Sequence, residues 1–274
     1  MRTVYRRLAI IVCLALMLGL IAISIAGTEP KVVSGKISTT GHEIADVPVL
    51  NYHKIDYLQH ALSLSPEEFD SQMAYLANNG YHTISPDQLM AHLNYGKRLP
   101  DKPVVITFDD GYLDNYTHAY PILKKYGFTA TIFVVTGLIG TDERFMNWDQ
   151  VRQMQQAGFV FGSHTENHVA LDQISIEQAK VELAKSRRVI KEQTGQTARY
   201  FAYPTGAYNL QIEELVREAG YRAAFTIRYG QAGPDSDPYA LERIPLFKSE
   251  QSFRSFFIRL NGAPVLERLG LIRN

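Results

Sequence analysis

Cysteine is almost absent from this 274-residue chain. Cys13 is the only one and lies inside an N-terminal apolar run, so neither a disulfide nor a thiolate metal site is open to the folded part. Any metal must be held by His and carboxylates. Net charge is missing as well: 28 Lys and Arg balance 28 Asp and Glu. That removes the basic field a phosphate backbone needs and excludes nucleic acid as an expected partner. Internal repeats and low-complexity tracts are lacking too, and 46% hydrophobic residues suffice for one sizeable core, so a single folded domain is the expectation.

Long apolar runs are confined to one place. Three arginines in residues 1–7 precede the uncharged stretch Leu8 to Ala26, about long enough to cross a bilayer. The positive-inside rule then keeps the amino terminus in the cytoplasm and sends the rest outside. Residues 1–27 read as a signal peptide or a membrane anchor. The small-x-small sequence Ser24-Ile25-Ala26 offers a cleavage site, while the length of the run favours a retained anchor. Residues 28–46 are polar and without sustained period, as a linker would be. The expected location is extracytoplasmic, anchored to the membrane or released after cleavage.

From residue 47 to 274, short β-rich runs alternate with amphipathic helical patterns. Strands are expected at 47–52, 81–84, 103–108, 129–135, 159–162, 200–202, 223–227 and 241–245. Capping boxes beginning at Ser65, Ser85, Asn147 and Ser175 mark helix starts, and Gly80, Gly127, Gly158, Gly195 and Gly220 mark helix ends. The alternation predicts an α/β fold, either a parallel barrel or a doubly wound sheet.

Four segments carry chemistry. The apolar run Val104 to Phe108 ends in Asp109-Asp110-Gly111, where adjacent carboxylates repel unless a cation takes one and a proton-accepting task the other; a helix N-cap is the plain alternative. The run Phe159 to Gly162 leads into Ser163-His164-Thr165-Glu166-Asn167-His168, two imidazoles spaced to share a metal, though such a pair alone is a weak signal. Arg199 to Asn209 takes a third strand into a Pro/Gly loop; Arg199 could hold a carboxylate and the Thr205 amide could donate to an oxyanion. His53, at the end of the first strand, suits a proton donor or a structural role equally. His42, His60, His82, His92 and His118 lack such a setting and read as surface or packing residues.

Together, Thr107-Phe108-Asp109-Asp110-Gly111, Ser163 to His168 and Phe201-Ala202-Tyr203-Pro204-Thr205-Gly206 resemble the polysaccharide deacetylase family, carbohydrate esterase family four, over about residues 47–247. Tyr52-His53 and the helix from Ser65 to Gly80 are similar to the branch acting on poly-N-acetylglucosamine of biofilm matrices. The resemblance implies a distorted, incomplete (β/α) barrel. It implies Asp109 as catalytic base, Asp110, His164 and His168 as metal triad, Arg199 as the residue orienting the base, and the Thr205 amide as oxyanion donor. The family's late Leu-x-His acid motif is absent, which leaves His53 as the substitute acid. Ala202 stands where the family's third motif usually has an arginine.

The implied activity is metal-dependent removal of N-acetyl groups from an extracellular N-acetylglucosamine polymer, with the β-1,6-linked one favoured. Zinc is the expected metal, with Co, Ni or Mn as other occupants of a His and carboxylate set. Trp148, Tyr203 and Tyr208 are candidates for a sugar-binding groove or for ordinary aromatic packing. Beyond the polysaccharide and the membrane at the N-terminal helix, no obligate protein partner is expected. The alternatives are a deacetylase of peptidoglycan or chitin-type chains, an O-acetyl esterase with the same site, or a non-catalytic carbohydrate-binding module.

Overall fold

A computed structural model describes residues 44–246, except residue 59, and residues 253–268. The N-terminal apolar run and most of the linker lie outside the described residues. Among the described residues no helix is long and apolar enough to cross a membrane.

In chain order, β1 (Val49–Tyr52) is followed by the two-residue strands β2 (Lys54–Ile55) and β3 (Ser63–Leu64), which pair with each other, and by β4 (His82–Thr83). Then come β5 (Pro103–Asp110), β6 (Thr131–Val134), β7 (Val160–Ser163), β8 (Tyr200–Ala202), β9 (Ala223–Tyr229) and β10 (Leu241–Pro245). Strands β5 to β10 pair in sequence, all parallel, and β1 bonds both β10 and β5. The result is a closed barrel of seven strands with β4 attached to the start of β5. Two places are irregular. Strands β7 and β8 share one paired position, Ser163 with Phe201, and the β9–β10 register shifts between Leu241 and Arg243.

Parallel strands are buried on both faces, which explains why β5 reads as an apolar run without alternation. The helices α1 (Pro66–Asn78), α2 (Pro86–Tyr95), α3 (Tyr120–Lys125), α4 (Trp148–Gln156), α5 (Ile176–Thr194), α6 (Leu210–Glu218) and α7 (Phe253–Arg268) alternate with them. Capping boxes close at Ser65, Ser85, Asn147 and Ser175, each with its N3 Glu or Gln reaching back, so two orphan donors are satisfied per start.

The barrel interior follows the period of two. Val49, Val105, Phe133, Tyr200, Phe225 and Leu241 form one apolar cluster. Leu89, Met90 and Leu93 of α2 join it, so this helix plugs the end at which the strands begin. Two residues further along their strands, Asn51, Thr107 and Arg243 keep the same inward facing, as does Asp109 on β5, and they form a buried polar layer instead. The strands therefore present apolar residues at the plugged end and chemistry at the other.

Candidate active site

Asp110 closes β5 with φ +74°, and Gly111 follows at +84°. The two acids belong to the strand, so the helix-cap alternative does not apply; helical residues begin only at Leu113 and pass into a π-helix at Asn115–Ala119. From β7, the His164 N–H still donates to the carbonyl of Val134 on β6 at 2.9 Å, after which the chain turns through left-handed residues at Thr165 (φ 65°) and His168 (φ 56°). Such conformations are costly for non-glycine residues and persist where surroundings impose them, typically at functional sites. Of the five non-glycine residues with positive φ among the described residues, four lie in these motifs: Asp110, Thr165, His168 and Thr205.

The two distortions bring three donors together. His164 Nε2 and His168 Nε2 lie 3.5 and 3.2 Å from Asp110 Oδ1, and one ligand atom from each residue falls within 4.8 Å of the others. The His164 ring donates from Nδ1 to the Ala202 carbonyl at 2.7 Å, which leaves the Nε2 lone pair aimed at Asp110. Burial depresses the His164 pKa against the pull of Asp109 and Asp110, whereas the adjacent Asp110 carboxylate raises that of His168. Asp110 Oδ1 is buried without a hydrogen-bond donor of its own. One carboxylate and two imidazoles around an orphaned oxygen fit a divalent cation such as zinc, with further positions left open. His168, 38% exposed at its side chain, marks the side open to solvent.

The loop carrying these imidazoles is fastened from two sides. Thr136 and Gly137 donate backbone N–H groups to the carbonyls of Thr165 and Glu166. Glu182, buried on α5, accepts from the N–H groups of Glu166 and Asn167 at 2.9 and 3.0 Å and from Asn167 Nδ2 at 2.7 Å. Nothing in the linear pattern singles out Glu182, since one acid in a charged amphipathic helix is ordinary.

Asp109 faces inward, fully buried. Its Oδ1 accepts from Arg243 NH1 at 2.8 Å, and its Oδ2 from Arg243 NH2 at 2.7 Å and Asn51 Nδ2 at 3.1 Å. Burial pushes its pKa up, yet the guanidinium, His164 and His53 outweigh that and hold it well below the usual carboxylate range. His53 Nε2 lies 3.9 Å from Asp109 Oδ2. Burial lowers the pKa of His53, opposed by the charges of Asp109 and Asp110.

The expectation for Arg199 is corrected here. Arg199 precedes β8, at the end where strands begin, and its exposed guanidinium pairs with Asp87 at the start of α2. It cannot reach Asp109, which sits at the opposite end of the barrel. Arg243 on β10 holds Asp109 instead, braced by bonds to the Thr226 carbonyl and Thr107 Oγ1. A signal for it exists in the sequence: Arg243 shares the strand face of Leu241, so a charge was pointed into the barrel.

The aromatic groove is also revised. Tyr203 is fully buried, with its hydroxyl donating to the Tyr239 carbonyl, so it packs rather than lines a groove. Tyr208 stacks on it at 5.0 Å and accepts from Arg228, while Trp148 is half-buried against the core at the first turn of α4. Thr205 stands exposed in a short 3₁₀ turn, at φ 59°.

The family model described as polysaccharide deacetylase matches residues 96–224. YxkH of Bacillus subtilis (strain 168), whose name places it among polysaccharide deacetylases, is 36% identical over 200 residues, covering 73% of this chain and 71% of YxkH. The poly-beta-1,6-N-acetyl-D-glucosamine N-deacetylase of Staphylococcus aureus (strain MSSA476) is 27% identical, covering 78% of this chain and 82% of its own. Among solved structures, the Streptococcus pyogenes deacetylase PplD in complex with acetate superposes with a TM-score of 0.71 at 32% identity, over 74% of this chain and 93% of PplD.

Proposed function

The chain belongs to the polysaccharide deacetylase family, and from that premise we propose that it hydrolyses N-acetyl groups from an extracellular N-acetylglucosamine polymer, poly-beta-1,6-N-acetylglucosamine being favoured, with a divalent metal as cofactor. The observation that carries the reading is the meeting of Asp110, His164 and His168 around one orphaned carboxylate oxygen, with a second, ionised carboxylate beside it. A sugar-binding module has no use for a base next to a metal site. The choice of polymer rests on the Staphylococcus aureus relative, whose length this chain largely spans, and on the early Tyr52-His53.

Asp110, His164 and His168 would hold the cation, zinc by preference. When bound, it would acidify a water and polarise the acetamide carbonyl. The remaining work falls to the chain. Asp109 accepts the proton of the attacking water; Arg243 spans both of its oxygens and leaves Oδ1 a spare lone pair for the task. The bidentate pair also fixes the carboxylate's orientation. The Thr205 N–H is assigned to the developing oxyanion. His53 supplies a proton to the departing sugar nitrogen, and Asp109 at 3.9 Å offsets the charge of its protonated form. Acetate and a free amine leave.

An acetate-release panel tests the reading. Poly-beta-1,6-N-acetylglucosamine, chitin oligomers and peptidoglycan are each incubated with metal-loaded protein, with and without chelator. Release from the first, abolished by chelation, is expected; binding to glycans with no acetate from any polymer makes the domain a binding module. The apolar run at Leu8 to Ala26 supports an extracytoplasmic location, and mass spectrometry of the mature amino terminus separates anchored from released forms.

A further inference from the structure

We propose that Asn115, braced by Asp114, is a positioning residue that sets the place of His53 for proton delivery; this rests on the reading of His53 as the proton donor. His53 is the single residue between β1 and β2, so its placement depends on how the start of β2 is held. Asn115 Nδ2 donates to the His53 carbonyl at 2.7 Å. Asp114 Oδ1 accepts from the Ile55 N–H at 2.8 Å, and His118 Nδ1 bonds the Ile55 carbonyl at 2.7 Å. Lys54 Nζ reaches Asp114 Oδ2 at 3.3 Å. Every one of these partners comes from the segment Asp114 to His118, which begins four residues after Asp110. His53 is thereby tied to the stretch of chain that directly follows the metal-site carboxylate Asp110.

The chemistry of Asn115 favours this role over simple packing. The residue is 1% exposed, and its orientation is unambiguous because Nδ2 faces two acceptors, the His53 carbonyl and Asp114 Oδ1 at 2.9 Å. Its Oδ1 is buried with no partner among the described residues. A buried amide with one end unsatisfied is a poor way to fill space, where an apolar side chain of similar volume would avoid the desolvation. What the amide adds is the bond to His53. The segment is also a π-helix, with the Tyr120 N–H bonded to the Asn115 carbonyl, a form frequent at functional sites.

An amine leaves a tetrahedral intermediate only when protonated, whereas a nitrophenolate leaves unaided. Loss of proton delivery should therefore depress amide hydrolysis selectively. Asn115→Ala and Asn115→Leu, the second keeping the buried volume, are compared with wild type and His53→Ala on an N-acetylglucosamine oligomer and on 4-nitrophenyl acetate. Metal content and Tm are measured alongside. For both Asn115 variants, kcat on the oligomer should fall by about 10- to 100-fold with KM nearly unchanged and metal retained, since misplacing a reacting group by an ångström costs on that order. The amide-to-ester ratio should fall with it. Equal losses on both substrates, or no loss on either, overturn the proposal. If His53→Ala lowers the ratio and the Asn115 variants do not, positioning by Asn115 fails alone. If His53→Ala leaves the ratio unchanged, the proton-donor reading fails and takes this proposal with it.

Discussion

Arg243 NH1 and NH2 hold the two carboxylate oxygens of Asp109 at 2.8 and 2.7 Å, joining β10 to β5 inside the barrel in a pair that is wholly buried. Removing one partner of such a pair leaves the other charge uncompensated. Arg243→Ala should lower stability by about 3–5 kcal/mol and abolish turnover, and Arg243→Lys should recover part of the stability with little activity, because an ammonium cannot span both oxygens. Arg199→Ala, breaking only a half-exposed pair with Asp87, should cost under about 1 kcal/mol and leave kcat near wild type. Denaturant unfolding and acetate release measure both. A large loss of turnover in Arg199→Ala with Arg243→Ala active would reverse the assignment.

Metal removal should be reversible for wild type and not for a ligand variant. His164→Ala deletes an Nε2 donor and leaves the Ala202 carbonyl without its partner, so metal content after loading should drop to background. Elemental analysis after desalting checks this, and a variant that still carries one equivalent would remove His164 from the triad.

Glu182 tests how far the loop depends on its clasp. Glu182→Gln keeps the shape but turns one acceptor oxygen into a donor facing N–H groups of Glu166 and Asn167. Metal affinity, measured by chelator competition, should weaken by about 10- to 100-fold, as for other outer partners of metal ligands. Unchanged affinity would show that the loop holds its shape without this carboxylate.

Thr205 is assigned a role through its backbone, so its side chain should be dispensable. At φ 59° glycine is at least as comfortable. Thr205→Gly should keep kcat within about twofold, as a role for the amide alone requires. A tenfold loss would point to the hydroxyl instead.

Gly162 lies where β7 passes the barrel interior. An added Cβ would sit 2.5 Å from the Phe133 ring and 2.8 Å from the Tyr200 carbonyl oxygen. Gly162→Ala should lower stability by about 1–3 kcal/mol through overpacking, visible as a lowered Tm. A Tm equal to wild type would mean that the barrel yields at this point.

Much of this protein was legible in its sequence because the signals are local. A capping box needs four consecutive residues, and those at Ser65, Ser85, Asn147 and Ser175 all close as read. The acids at 109 and 110 and the imidazoles at 164 and 168 could be placed on one face, because parallel strands deliver their last residues to a common end. Tertiary structure alone decided which partners meet across the barrel. Arg199 stands just before one strand and Arg243 inside another, but the pattern alone does not say which meets Asp109; closure of the sheet leaves the first at the strand beginnings and turns the second onto Asp109. Likewise Tyr203 is buried, and Asn115 meets His53, through packing between segments far apart in the chain. Local pattern reports periodicity and backbone preference, whereas which buried charges face each other depends on non-local pairing and register.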